Sequence, residues 1–201
     1  MDSKVQLIVD KDLGHILAVV SVTDAQRSAK LTLAELVAQE GLLLRNSPHG
    51  GLRLPVDQLD VPQDMPSVLN VDPGTVIQRP RTHIYDKKGG TVIAPNKDLI
   101  LDKTATNIEE VVVELKTPTP EAISSKIMAK AYAQSQDSSG PPQILSAGEV
   151  DVRVEGSKKK AYIPLNFEPN TKYDVLVLVQ GFSALLYESL LPNPKVTPPT
   201  P

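Results

Sequence analysis

The 201-residue chain contains no cysteine and no tryptophan, and aromatic residues make up only 3% of it. Without cysteine, the protein has no disulfide, no thiolate metal site and no cysteine nucleophile. With so few aromatic rings, the core must be aliphatic, and the stacking platforms that bind single-stranded nucleic acids are scarce. A hydrophobic content of 40% still supplies enough apolar surface for a core.

The formal net charge is −3, so no strong positive field attracts nucleic acid. A basic cluster at 158–160 lies between two predicted strands, where a solvated turn is the favoured interpretation. No apolar stretch approaches the length of a membrane span, and the first residues lack the pattern of a signal peptide. We expect synthesis in the cytoplasm without a signal peptide and no membrane or nucleic-acid partner; later incorporation into a virion or extracellular particle stays open.

Two short strands and a helix are predicted near the N-terminus. Val5–Val9 alternates with polar residues, and Ile16–Val22 is a mainly apolar run. Turn residues lie between the two segments, which is typical of a hairpin. In the second strand every other residue from Ile16 on should share a face, and apolar residues on both faces indicate cover on two sides. Thr32 and Glu35 form a capping box, which predicts a helix of about two turns that ends at Gly41.

Proline recurs between Leu42 and Pro80. Each proline removes an amide donor and biases the preceding residue toward extended backbone, so extended chain with short edge strands is predicted. Such a segment either drapes on the protein's own core or is ordered by a partner. A hairpin from Thr82–Tyr85 to Thr91–Ala94 and a short apolar segment, Leu99–Leu101, follow.

Alternation becomes regular after the polar stretch Asp102–Asn107. Val111–Leu115 and Val150–Val154 alternate, and Ala161–Leu165 continues the pattern after a Gly-Ser turn. This spacing is typical of an antiparallel sandwich. The segment 120–134 fits a capped helix and an alternating strand equally well, so both alternatives stay open.

Tyr173–Gln180 and Ser183–Leu191 are predicted to be the last two strands, with Gly181 at the bend between them. Leu176 and Leu178 lie on the face opposite to three valines. A lone sandwich would leave this second face in water, so we expect the N-terminal domain or another subunit to cover it. Leu176 and Leu178 are therefore candidate residues of a partner interface.

The approach to this strand follows the order apolar, Pro, Thr, Tyr and alternating Val, carried by Phe167, Pro169, Thr171, Tyr173, Val175 and Val177. The pattern resembles the entry to strand F of fibronectin type III and related immunoglobulin-like domains. The resemblance implies a β-sandwich in the C-terminal half, with the Tyr173 hydroxyl bonding back to nearby backbone at a structural corner. It implies no function, and the N-terminal half shows no comparable pattern.

These patterns predict a mainly β fold. Residues 105–191 should form an antiparallel immunoglobulin-like β-sandwich, and residues 1–104 a smaller β-rich domain that carries one short helix and the Pro-rich segment. Residues 192–201 are predicted to be a Pro-rich tail.

No motif of catalysis or cofactor binding is present, so no catalytic, cofactor or metal residue is predicted. The three histidines lie in separate predicted elements, whereas a three-histidine metal site needs convergence. Several carboxylates in the Pro-rich region are oxygen donors of the kind that calcium takes, but their irregular spacing favours solubilising loop charges. The histidines are His15, His49 and His83, and the carboxylates are Asp57, Asp60, Asp64 and Asp72.

The missing catalytic motifs and the long Pro-rich segments favour a non-catalytic structural or assembly subunit of a larger particle, such as a phage tail, virion or filament. Its expected partners are other protein subunits in a homo- or hetero-oligomer, and no cofactor and no enzymatic activity are expected. The alternative is a binding module, an adhesin or a carbohydrate-binding protein, for which the chain offers few aromatic platforms.

Overall fold

The computed structural model describes residues 4–22, 31–37, 41–46, 51–62, 72–118, 123–137 and 143–194. Within these ranges the chain is mainly β, as predicted, with several antiparallel sheets and two short helices. Most of the predicted Pro-rich tail, from residue 195 on, lies outside the described residues.

Short strands dominate the described residues from 4 to 94, which we call the N-terminal layer. They form a three-stranded sheet in the order β2-β1-β5 and two hairpins, β3-β4 and β6-β7. The strands are β1 (Lys4–Asp10), β2 (Ile16–Val22), β3 (Leu42–Leu44), β4 (Leu52–Leu54), β5 (Leu59–Asp60), β6 (Ile84–Asp86) and β7 (Thr91–Ile93). The helices are α1 (Leu33–Leu36) and α2 (Pro73–Gln78).

The first predicted hairpin is confirmed, but it contains a bulge. Ile8 pairs with Ala18 and Val9 pairs with Ile16, so Leu17 is an extra residue in β2. The bulge places Leu17 in the same apolar cluster as Ala18, while Ile16 belongs to another cluster. Two-sided cover of β2 is therefore confirmed, and the expectation that Ile16 and Ala18 share a face is wrong.

The capping box at the start of α1 is present. The Thr32 amide donates to Oε2 of Glu35 at 2.6 Å, and the Thr32 hydroxyl donates to the same oxygen at 2.8 Å. The helix stops after one turn because Val37 adopts extended backbone, with φ −124° and ψ 133°. The predicted length of two turns, ending at Gly41, is wrong.

The Pro-rich region contains a helix that the prediction of extended chain missed. Oδ2 of Asp72 accepts hydrogen bonds from the amide and the hydroxyl of Thr75, both at 2.8 Å. Pro73 occupies the first helical turn, where its missing amide costs no hydrogen bond. The predicted count of one short helix is therefore corrected to two.

A seven-stranded antiparallel sheet, the large sheet, occupies the rest of the described chain. Its order is β14-β13-β10-β11-β12-β9-β8, which contains two overlapping Greek keys. The segment 120–134, left open between helix and strand, contributes a strand. The strands are β8 (Asp98–Leu101), β9 (Glu110–Lys116), β10 (Lys126–Ser135), β11 (Gln143–Glu155), β12 (Lys158–Pro164), β13 (Tyr173–Val179) and β14 (Leu185–Leu190).

The large sheet curls toward a closed barrel. Its edge strands β8 and β14 approach each other, and the Ser183 amide donates to the Lys97 carbonyl at 2.7 Å. Asn193 joins the ends further: it forms a parallel bridge with Asn107, and its Nδ2 donates to the Thr106 carbonyl at 3.0 Å. The large sheet begins at β8, and the division of the chain into domains at residues 104 and 105 stays a prediction.

The interior of the curled sheet is almost wholly aliphatic, as the composition requires. Inward-facing residues of every strand contribute to it, and Gly156 and Gly181 mark the turns after β11 and β13 with positive φ. The buried members are Leu99, Val111, Val113, Leu115, Ala129, Ala131, Ala133, Val150, Ala161, Ile163, Leu165, Phe167, Tyr173, Val175, Val177, Val179, Phe182 and Leu190.

Gly41 tests the packing of the N-terminal layer. Its φ is +100°, and a Cβ built there would lie 2.1 Å from the Leu54 carbonyl oxygen. We expect Gly41→Ala to lower the free energy of unfolding by at least about 2 kcal/mol, measured by urea denaturation. The control is Gly156→Ala, since Gly156 has φ +62° but open space, and strain alone costs about 1 kcal/mol. Equal losses in the two variants would contradict the steric account.

Candidate functional site

The two candidate interface leucines lie on the outer face of the large sheet, the side of β10 and β13 that points away from the aliphatic interior. Leu176 and Leu178 are both fully buried. The N-terminal layer of the same chain covers them, so they are not open to another subunit. Their buried neighbours in this cluster are Ile8, Leu17, Val37, Leu44, Leu52, Leu54, Leu59, Tyr132 and Leu186.

Tyr173 lies at the start of β13, with its ring in the interior of the large sheet. Its hydroxyl oxygen accepts a hydrogen bond from the Glu168 amide at 2.9 Å, five residues upstream. Its ring centroid lies 4.7 Å from that of Phe167. The tyrosine thereby ties the chain segment before β13 to the strand itself.

A buried carboxylate joins the N-terminal layer to the outer face of the large sheet. Asp10, at the end of β1, is fully buried. Its Oδ1 accepts hydrogen bonds from the amides of Asp12, at 3.1 Å, and Leu13, at 2.7 Å. Its Oδ2 accepts from Nζ of Lys130, at 3.0 Å, and from the Tyr132 hydroxyl, at 2.8 Å. Four donors therefore offset the cost of removing this charge from water.

Strand alternation on β10 supplies two of these donors. Lys130 and Tyr132 point outward, while the alanines between and beside them face the interior. Nζ of Lys130 also lies 2.6 Å from Oδ2 of Asp12, and 5.1 Å from the ring centroid of Tyr132. Lys130 is 1% exposed, so the ammonium is compensated by two carboxylates and an aromatic face.

The protonation states follow from these contacts. The hydrogen bond from Lys130 lowers the pKa of Asp12 below its usual range, against a smaller opposing effect of burial. Burial, followed by the charge and hydrogen bond of Asp10, raises the pKa of Tyr132 far above its usual range. At neutral pH, Tyr132 is therefore a protonated donor and Asp12 is an ionised acceptor.

A second buried carboxylate holds β4 and β14. Oδ2 of Asp174 accepts from the Gly51 amide at 2.7 Å, next to the first residue of β4. Its Oδ1 accepts from Nε2 of Gln136 at 2.8 Å and from the Ser189 amide at 2.9 Å. Ser189 has φ +60°, a conformation that non-glycine residues rarely adopt, and the Asp174 hydrogen bond stabilises it.

His15 joins the β1-β2 turn to the β13-β14 turn. Its Nε2 lies 3.0 Å from the Phe182 carbonyl, which can only accept, so this nitrogen carries the proton. Its Nδ1 is buried and has no hydrogen-bond partner within the described ranges. Burial lowers the pKa of His15, and the hydrogen bond to Phe182 offsets part of that effect.

A charged network lies on the outer face of β11 and β12, next to the end of β8. Nζ of Lys160 lies 2.8 Å from Oδ2 of Asp102 and 2.5 Å from Oε2 of Glu155. The Tyr162 hydroxyl donates to Glu155, and the Arg153 guanidinium lies 4.2 Å from the Tyr162 ring centroid. The hydrogen bond from Lys160 lowers the pKa of Asp102, and burial raises that of Tyr162 to about 12.

An open depression of about 340 Å³ lies beside this network. Its walls carry both charges, and two of the charged residues, Lys158 and Glu114, form an ion pair of 3.0 Å. No aromatic side chain lines it. The lining residues are Ile100, Leu101, Asp102, Lys103, Thr104, Glu114 and Lys158.

One long strand leaves part of the large sheet's hydrogen-bonding edge without a described partner. β11 pairs with β10 along 143–151, but with β12 only along 151–155. In the part of the chain that the structure describes, no strand pairs with the other edge of 143–150. Ala147 and Glu149 are exposed there. An unpaired edge of this kind can accept another strand.

The described residues bring no metal-binding set together: they contain no group of three or more His, Asp or Glu side chains placed to hold an ion. The backbones of His15 and His83 lie close together, since the Ile16 amide donates to the His83 carbonyl at 3.1 Å. Their imidazoles bind different carbonyls: His15 Nε2 lies 3.0 Å from that of Phe182, and His83 Nδ1 lies 3.1 Å from that of Arg79. His49 and Asp64 lie outside the described residues. Within the described ranges, no helix is long and apolar enough to cross a membrane.

The polar anchors were not predicted from the sequence. Asp10 reads as an ordinary turn residue, and Lys130 lies in the segment left open between helix and strand. A usable signal was the pattern of β10, where polar or large residues at 130, 132 and 134 alternate with alanine. That pattern marks a strand with one tightly packed face and one face that carries hydrogen-bonding groups.

Comparisons of the chain with family models, curated proteins and solved structures found no match.

The cover over the outer face yields a direct test. We expect the double variant Leu176→Asp, Leu178→Asp to unfold, because two unpaired carboxylates would replace buried side chains at a cost of more than about 4 kcal/mol. Circular dichroism and urea denaturation would measure the loss. Ile100→Asp is the control, since Ile100 is 42% exposed on the same sheet and should change stability by about 0.5 kcal/mol or less. Wild-type stability of the double variant would show that the face is not covered.

Lys130→Met tests the buried ion pair. The substitution keeps the aliphatic volume but leaves the Asp10 charge with fewer donors, so we expect a loss of about 3 kcal/mol in the free energy of unfolding. Lys126→Met is the matched control on the same strand, because Lys126 is 56% exposed and its ion pair with Glu149 contributes about 0–1 kcal/mol. A Lys130→Met variant as stable as Lys126→Met would argue against the anchor.

His15 should make stability depend on pH. Its folded pKa lies below the ordinary value of 6.5, so below pH 6.5 the unfolded chain binds a proton that the folded chain does not. The free energy of unfolding should therefore fall as the pH drops through 6.5, and His15→Gln should remove this slope. His83→Gln, which leaves His15 in place, should retain it. Parallel curves for wild type and His15→Gln between pH 7.5 and about 5 would refute the prediction.

Proposed function

We propose that this protein is a non-catalytic structural subunit that assembles with other protein subunits into a larger particle. The observation that carries the proposal is the edge of β11 along 143–150, which lacks a described partner while its opposite edge pairs with β10. A neighbouring subunit that adds a strand there would extend the large sheet by main-chain hydrogen bonds.

The sequence of this edge supports its use in assembly. Natural proteins protect exposed edges with lysine, proline, short strands or inward charges. The segment 143–148 contains no charged residue and no proline, and β11 is 13 residues long. An edge so poorly protected invites aggregation unless another strand regularly occupies it.

The internal polar groups support a structural role as well. The buried charges of Asp10, Lys130 and Asp174 all serve contacts between elements of the same chain. Each carboxylate joins the N-terminal layer to the large sheet, which gives a rigid frame on which a docking edge can be presented. Rigid presentation lowers the entropic cost of association.

The finer fold assignment belongs to the same proposal. We interpret the large sheet as an immunoglobulin-like sandwich in which β11 passes from one layer to the other, first pairing with β10 and then with β12. The hydrogen bond from the Glu168 amide to Tyr173 is in keeping with a tyrosine corner. The larger particle that we propose is of the phage-tail, virion or filament type.

The alternative role, an adhesin or carbohydrate-binding module, has less to support it. Sugar sites commonly use exposed aromatic rings as platforms, and the open depression on the large sheet is lined without one. Of its charged residues, Lys158 pairs with Glu114, and Asp102 pairs with Lys160 beside the depression.

The test of the assembly role is to fractionate a native lysate on a density gradient and detect the protein by antibody. We expect most of it in fractions far heavier than its 21.7 kDa chain mass. The amides of Ala147 and Glu149 should exchange hydrogen slowly in those fractions and faster in the purified chain at dilutions where it is monomeric. Recovery of the native protein at the position of a free chain or a small oligomer would contradict the assembly role.

A further inference from the structure

We infer that the edge of β11 docks on the same edge of a second copy, antiparallel, about a two-fold axis at Gly148. The inference rests on the proposed assembly role and names its first contact. Two-fold contacts are self-complementary, so a single edge can serve both partners. Residues 143–148 carry no charge, so in an antiparallel pair centred on Gly148 they lie opposite the charged residues from 149 on without repulsion. The edge therefore fits a second copy of this chain, with a continuous sheet running through both subunits.

The direction of the backbone groups follows from the ladder with β10. The Val152 amide donates to the Ser125 carbonyl at 2.8 Å, and Val150 and Gly148 lie opposite Ile127 and Ala129 in the same register. Alternate residues of an antiparallel strand direct their amide and carbonyl groups to the same side. The groups of residues 148 and 150 therefore face β10, and those of residues 147 and 149 face the free edge.

These outward groups limit the register, because only outward residues of the two copies can exchange hydrogen bonds. Among the registers that allow this exchange, we infer the one in which residue 147 of one copy lies opposite residue 149 of the other, with the two-fold axis at residue 148. The two Gly148 residues then face each other as a non-hydrogen-bonded pair, where the Cα atoms of paired strands come closest. Gly148 has no side chain, so the two backbones can approach closely at this pair.

Charge is compatible with this register. Ala147 of one copy lies opposite Glu149 of the other, so no two like charges are directly opposed. Glu149 also lies 3.5 Å from Lys126 across its own sheet, which partly neutralises it. The pairing therefore needs no buried unpaired charge.

The experiment uses the purified full chain in analytical ultracentrifugation. We expect a concentration-dependent dimer in the wild type. Ala147→Pro should be monomeric at the same concentrations, because proline removes an outward amide without touching the ladder to β10. Ala147→Thr, which keeps the amide, should still dimerise. Circular dichroism and thermal melting would verify that both variants are folded.

Charge variants test the register itself. Ala147→Glu places a glutamate opposite Glu149 of the partner twice in the dimer and should weaken association about tenfold or more. Ala147→Lys should associate at least as well as the wild type, and adding Glu149→Lys to Ala147→Glu should restore association. These charge variants do not introduce the backbone strain that proline brings, so they remain informative if Ala147→Pro fails to fold.

Three results would overturn the inference. A wild-type chain that stays monomeric would show that the edge does not bind a second copy, and slow exchange at Ala147 and Glu149 in that monomer would show that its own residues cover the edge. A dimer that Ala147→Pro and Ala147→Glu leave intact would place self-association on another surface. Equal dimerisation of Ala147→Glu and Ala147→Lys would refute the register. If the native protein still sediments in heavy fractions in any of these cases, the assembly role stands and only the second-copy contact fails.

Discussion

The Asp10 carboxylate lies where the β1-β2 turn meets the outer face of the large sheet, and the arrangement of both halves depends on its donors. A fully buried charge is stable only when hydrogen bonds and an opposite charge replace water. Two amides of its own turn, the Tyr132 hydroxyl and the Lys130 ammonium do so. Since two of these donors come from β10, the turn can dock in one position and orientation only.

Apolar packing and polar anchors have different tasks at this contact. Leu176 and Leu178 supply area, because their burial under the N-terminal layer removes apolar surface from water. Such packing has little directional preference, whereas the anchors at Asp10 and Asp174 fix where each hairpin lies. The sequence left open whether another subunit or the chain itself covers these leucines, and the N-terminal layer covers them. The edge of β11 is the surface that we propose for assembly.

Local patterns predicted the local elements. The turn after β1, the capping box at Thr32 and the alternation of β13 act over a few residues, and each was read from the sequence. The Asp72 cap of α2 carried an equally local signal, but the surrounding prolines favoured extended chain. The contact of Asp10 with Lys130 spans 120 residues, so no periodicity reveals it. The edge of β11 that lacks a partner among the described strands depends on where β12 turns away, which is a property of the sheet and not of a segment.

Native-state hydrogen exchange tests the central claim, that the Asp10 anchor makes the N-terminal layer and the large sheet one cooperative unit. Amides of β1 and β2 would be compared with those of β9 and β12 over a denaturant series. The account predicts that both sets exchange through the same global opening, with free energies that agree within about 1 kcal/mol. Exchange of β1 and β2 at a much lower free energy, with β9 and β12 still protected, would contradict it.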